Sequence, residues 1–135
     1  MAGEPIDSRV QAGATFLIPS GEQGDHLFVV VLSGRVINGK EHLLLACLCT
    51  IRGPKFDSTC VVKQGEHSFA VSDSYIAYKH CRSEPVDHVI ARLDEGVFKA
   101  KTDNVSLQLL GRIRSGLGSK TMPRHIRDDW DLGNE

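Results

Sequence analysis

The sequence predicts a mainly β domain closed by C-terminal helices, an α+β arrangement around a small, strongly bent antiparallel barrel. Three observations predict it. Short apolar runs separated by turn residues fill positions 14–82. Helical periodicity begins only after residue 83. The chain has 135 residues, enough for one core and one domain spanning 1–135, with barrel strands in 14–82, helices in 83–118 and a tail in 119–135.

In order along the chain, residues 1–13 read as a loosely held arm. Ala14 to Ile18 is a short strand, closed by Pro19 and the turn-rich residues 20–25. His26 to Ser33 (HLFVVVLS) is rich in β-branched residues and reads as a buried strand. Asn38-Gly39 is a strong hairpin turn, since both residues tolerate positive φ. Glu41 to Ile51 (EHLLLACLCTI) is its return strand, and residues 52–58 form a loop. A strand over Thr59 to Lys63, a turn at residues 64–66 and a long last strand from His67 to Arg82 complete the barrel. Pro85 suits the first turn of a helix whose face is Val86, Val89, Ile90 and Leu93, with Gly96 ending it. After an extended link over residues 97–100, Thr102, Asp103 or Asn104 caps a second helix faced by Leu107, Leu110, Ile113, Arg114 and Leu117. In the tail, charge passes from basic (Arg124, Arg127) to acidic (Asp128, Asp129, Asp131), and Trp130 is an anchor on this chain or a partner.

Composition narrows the function. Hydrophobic residues make up 41% and charged residues 24%, the balance of an ordinary globular protein. The apolar runs are too short to span a bilayer, and the N-terminal residues lack the apolar core of a signal peptide, so a cytoplasmic protein is expected. Its four cysteines (47, 49, 60 and 81) are then reduced thiols. A net charge of −1 argues against coating nucleic acid through the overall field, but leaves room for a local cationic groove.

The stretch from His67 to Arg82, HSFAVSDSYIAYKHCR, is the most chemically dense. From Asp73 onward nearly every side chain donates, accepts or stacks, which is a costly way to fill a core and a sensible way to line a site. Strand alternation places Ser74, Tyr78, His80 and Arg82 on one face and Tyr75, Lys79 and Cys81 on the other. The first set is the more coherent chemically. The plainer alternative is a half-exposed strand whose tyrosines cover a barrel end.

A Gly-Asp turn leads here into an apolar strand ending Val-Leu-Ser; a strand ending in Thr50 follows, then the Ser74-Tyr75 pair, then GVF and SLQLLGRIRSGL. Over roughly residues 14–117 this layout resembles the MazF/PemK family of toxins from type II toxin–antitoxin systems. The resemblance implies an SH3-like barrel with a C-terminal helix, and places Thr50 and Ser74-Tyr75 on the family's Thr and Ser-aromatic positions. Two departures stand out: Asp25-His26 replace an expected Arg-Pro, and residues 78–82 replace an Asp-Gln-Arg pattern, so the family arginine has no direct counterpart.

The resemblance also implies an activity: metal-independent cleavage of single-stranded RNA, by attack of a 2′-hydroxyl on the adjacent phosphorus. That chemistry needs a base, an acid and a cation for the phosphorane charge. His80 and His67 suit the proton transfers. Arg52 and Arg82 match phosphate oxygens, with Lys79 nearby. Thr50 and Ser74 position by hydrogen bonding, and Tyr75 and Tyr78 stack exposed bases. The expected catalytic set is thus Thr50, Arg52, His80 and His67, with Ser74, Tyr75, Tyr78, Lys79 and Arg82 binding substrate. The implied partners are a cognate antitoxin and single-stranded RNA, with no membrane, and a homodimer is the family habit. No cofactor is expected. Cysteine and histidine spacings fit no familiar zinc pattern, and Cys47 and Cys49 share a strand face amid leucines as buried structural thiols. A Cys81 nucleophile lacks an orienting third group. The competing expectation is a non-catalytic SH3-like barrel module that binds a protein partner or nucleic acid.

Overall fold

A computed structural model describes residues 7–132, apart from the side chain of Gln23. It shows an antiparallel sheet of seven strands: β1 (Thr15–Pro19), β2 (Asp25–Ile37), β3 (Lys40–Thr50), β4 (Val61–Val62), β5 (Ser74–Ile76), β6 (Arg82–Pro85) and β7 (Lys99–Lys101). The order is β4-β5-β3-β2-β1-β7, with β6 also on β3, and the two ends of the sheet are not paired to each other. Three helices follow the strand-rich part: α1 (Val86–Asp94), α2 (Leu107–Ser115) and α3 (Arg124–Asp129). The mainly β, α+β class with C-terminal helices is as the sequence predicts.

The β2–β3 hairpin is the spine. Asn38 and Gly39 both have positive φ (53° and 80°), as the tight turn requires. The hairpin's apolar runs do not alternate with polar residues because both faces are covered, as in strands buried between layers. Leu27, Val29, Val31, Leu44, Ala46 and Leu48 pack toward α2 and α3 through Leu110, Ile113 and Ile126. Phe28, Val30, Leu43, Leu45 and Cys47 pack toward Val89 and Leu93 of α1 and toward Phe98.

Several expectations are corrected. The predicted arm falls partly on residues 1–6, outside the described residues. From Asp7 on the chain is held, because Arg9 bridges Asp7 and Asp94 (2.7 and 3.0 Å) and the Gly13 N–H donates to the Val30 carbonyl oxygen. Strand β6 continues to Pro85, so α1 begins at Val86. Helix α2 is capped by Ser106, whose Oγ accepts from the Leu109 N–H at 3.0 Å. Leu107 is exposed and Leu109 takes its place in the core. The extended link includes strand β7 on the edge of β1. The tail folds onto its own sheet: α3 packs through Ile126, and the Trp130 indole N–H donates to Ser83 Oγ at 2.9 Å.

The long last strand is the largest correction. Residues 67–73 are turns, β5 covers only Ser74–Ile76, and a 3-10 turn at Tyr78–His80 separates it from β6. Both short strands pair with β3, β5 at Leu48–Thr50 and β6 at His42–Leu45. The turn breaks the two-residue period on which the predicted faces depended.

Candidate functional site

Residues where β2 begins and β3 ends line a cavity of about 1020 Å³. Its polar wall comes from Asp25, His26, Thr50, Arg52, Lys55, Tyr75, His80 and Arg82, and its apolar wall includes Phe28, Leu48, Phe56 and Phe69.

Each element delivers its side chains for a local reason. Thr50 ends β3, held opposite Ser74. The chain then leaves the sheet, and the loop carrying Arg52 and Lys55 is pinned at both ends. At its start the Ile51 N–H donates to the Asp73 carbonyl oxygen. At its end Asp57 accepts from the hydroxyls of Thr59, Ser119 and Thr121, the last two at 2.7 and 2.6 Å. Burial pushes the Asp57 carboxyl up, but the bonds from Thr121, Thr59 and Ser119 outweigh it and hold the pKa down at about 2. Within the loop, the Phe56 ring lies 5.2 Å from that of Tyr75.

The cations differ in availability. Arg52 and Lys55 have no hydrogen-bond or ion-pair partner among the described residues. Arg82 is engaged: Nε and Nη2 each lie 2.8 Å from Glu84 Oε2, and its guanidinium sits near the rings of Phe28 and Phe98. Arg82 therefore supplies structure and a neutralised pair more than free charge. His80, at the end of the 3-10 turn, has its pKa lowered by burial first, then by the positive charges of Lys79 and His26. Two imidazoles thus share the cavity within electrostatic reach of each other.

Of the sequence-predicted residues, Thr50, Arg52, Tyr75, His80 and Arg82 line this one cavity. Lys79 is exposed and outside the lining, but its charge acts on His80. Three expected residues are elsewhere. Tyr78 is fully buried, its hydroxyl donating to the Ile113 carbonyl oxygen at 2.8 Å, so it has no face to offer a base. Ser74 is buried and donates to the Ser72 carbonyl oxygen. His67 is buried as a turn brace: Nε2 donates to the Asp103 carbonyl oxygen at 2.6 Å and Nδ1 accepts from the Phe69 N–H at 3.0 Å.

Sequence reasoning missed His26, Lys55, Phe56 and Phe69 as cavity residues. His26 was legible, because it lies two positions before Phe28 and so shares that strand face; the loop residues carry no such periodic signal. Cys47 is buried as expected, whereas Cys49 is half-buried and reaches the cavity wall. Their sulfurs lie 3.7 Å apart. The hydrogen bond from Cys47 holds the Cys49 thiol below its ordinary value against the opposing effect of burial, with help from Lys79, and pushes Cys47 up.

Chemically, the cavity combines an imidazole whose pKa is lowered, a second imidazole, two free cations and aromatic faces. That set can hold a phosphodiester and move protons across it. Among the described residues, no group of three or more His, Cys, Asp or Glu side chains is arranged to hold a metal ion. No helix among them is long and apolar enough to cross a membrane. No protein-family model matches the chain, and no curated protein matches it.

Proposed function

We propose that this protein is a MazF/PemK-like toxin: a metal-independent endoribonuclease that acts on single-stranded RNA in the cytoplasm and is silenced by a cognate antitoxin occupying the cavity. One observation carries this reading: His26, Thr50, Arg52, Lys55 and His80, drawn from four segments of the chain, line a single cavity with Tyr75 and Phe56. In this mechanism His80, its pKa lowered and its ring neutral, takes the proton of the attacking 2′-hydroxyl. His26 donates a proton to the departing 5′-oxygen. Arg52 and Lys55 hold the charge that builds on the phosphorane. Thr50 hydrogen-bonds a phosphate oxygen, and Tyr75 with Phe56 stacks an unpaired base.

A non-catalytic barrel module binding a protein or nucleic acid is the second reading, favoured by the Arg82–Glu84 pair and by the exposed Phe69 in the cavity wall. Induced expression followed by primer extension on total RNA separates the two. The nuclease reading expects growth arrest and discrete new 5′ ends. Unchanged growth with intact RNA overturns it and leaves the binding module.

A further inference from the structure

We propose that Cys47 and Cys49 form a hydroperoxide-sensitive thiol pair in the cavity wall, with Cys49 as the attacking sulfur and Cys47 as the resolving one. The inference is independent of whether the cavity cleaves RNA.

The two cysteines lie on one face of β3, two residues apart, with their sulfurs in contact at 3.7 Å. Exposure assigns the order of events. Both line the cavity, but Cys49 is half-buried whereas Cys47 is only 3% exposed, so Cys49 is the more accessible sulfur. Cys60 and Cys81, the remaining free thiols, are buried and are not part of the cavity lining. The hydrogen bond from Cys47 first, and then the Lys79 ammonium, favour the Cys49 thiolate that reacts with peroxide, against the opposing effect of burial.

The chemistry balances in two steps with a hydroperoxide as the oxidant. The Cys49 thiolate attacks the distal peroxide oxygen, the O–O bond breaks, and the alkoxide or hydroxide leaves, giving Cys49 sulfenic acid. The Cys47 thiol then attacks the Cys49 sulfur. An S–S bond forms, the S–O bond breaks, and hydroxide leaves with the thiol proton as water.

Closure has a structural consequence. Residues two apart on an extended strand have Cα atoms about 6.4–6.8 Å apart, the long limit of what a disulfide spans. The sulfurs must also close from contact to about 2.05 Å. The end of β3 therefore contracts as the bond forms, which strains the bond and makes it easily reduced. Thr50 and Arg52 follow Cys49 directly, so the contraction moves the residues that edge the cavity.

The test treats the reduced full-length protein with hydrogen peroxide, then maps tryptic peptides without reduction. Cys47 and Cys49 fall together on the peptide 41–52, while Cys60 and Cys81 fall on others. Expected is loss of two hydrogens from peptide 41–52, reversed by dithiothreitol. Cys47→Ser should leave a Cys49 sulfenic acid trapped by dimedone, and Cys49→Ser should slow oxidation of that peptide about tenfold or more. Oxidation first at Cys60 or Cys81, a disulfide between two chains, or no dimedone adduct in Cys47→Ser would each overturn the proposal.

Discussion

The Tyr78 hydroxyl donates to the Ile113 carbonyl oxygen at 2.8 Å, and Gly116 leaves the space for it: a Cβ there would lie 2.7 Å from Tyr78 Cζ. This contact clamps the middle of the chemically dense stretch to α2, leaving Tyr75 on one side and His80 on the other to reach the cavity. Tyr78→Phe removes the donor to a buried carbonyl and should cost about 1–2 kcal/mol of stability. Gly116→Ala adds a collision in a packed core and should cost about 1–3 kcal/mol. Urea denaturation checks both, and cleavage per folded molecule should be unchanged in Tyr78→Phe.

Arg52 and His80 carry no side-chain partner among the described residues, so truncating them leaves no buried group unpaired. Arg52→Ala and His80→Ala should each retain the wild-type unfolding midpoint while losing about a hundredfold or more in RNA cleavage. His26→Ala should lose a similar factor, and His67→Gln should act through stability instead. Single-turnover cleavage beside a thermal melt separates the two effects.

The pH profile follows from the sign of the His80 shift. Burial, Lys79 and His26 all disfavour its imidazolium form, so His80 stays neutral to a lower pH than an ordinary histidine. The acid limb of kcat/KM should accordingly lie below the usual histidine range. Lys79→Met removes one positive neighbour, raises the His80 pKa and moves that limb upward. A limb that does not move in Lys79→Met would remove His80 as the titrating base.

Asp57 ties the Arg52 loop to residues 119 and 121. Its folded pKa, about 2, lies below the unfolded value, so its stabilising effect is full above about pH 4 and is lost as pH falls through the folded value. Asp57→Asn should cost about 1–2 kcal/mol at neutral pH. The gap from wild type should close between about pH 4 and pH 2. With the loop loosened, KM for RNA should rise more than kcat falls, as Michaelis–Menten titrations would show.

The β2–β3 hairpin and α1 were legible because continuous apolar runs bounded by turn residues and a 3.6-residue period report burial directly. Val86, Val89, Ile90 and Leu93 all lie on the side of α1 facing the core. The break at Tyr78–His80 was not legible, since nothing in YKH differs from a polar strand until Tyr78 finds Ile113 and Gly116, both far along the chain. The same non-local contact moved Tyr78 from the expected site into the core. His67 went the same way through Asp103. Thr50 and Arg52 were legible because a strand end followed by a Gly-Pro loop must leave the sheet there. Lys55 and Phe56 were not, because only the Asp57 anchor decides where that loop folds.

Incubating the purified protein with a defined single-stranded RNA in EDTA, then analysing the product ends, tests the central claim most directly. The account predicts a 2′,3′-cyclic phosphate on the upstream fragment, no cleavage when the scissile nucleotide is 2′-deoxy, and loss of both products in Arg52→Ala and His80→Ala. Uncut RNA, or equal cleavage of the 2′-deoxy substrate, would contradict it.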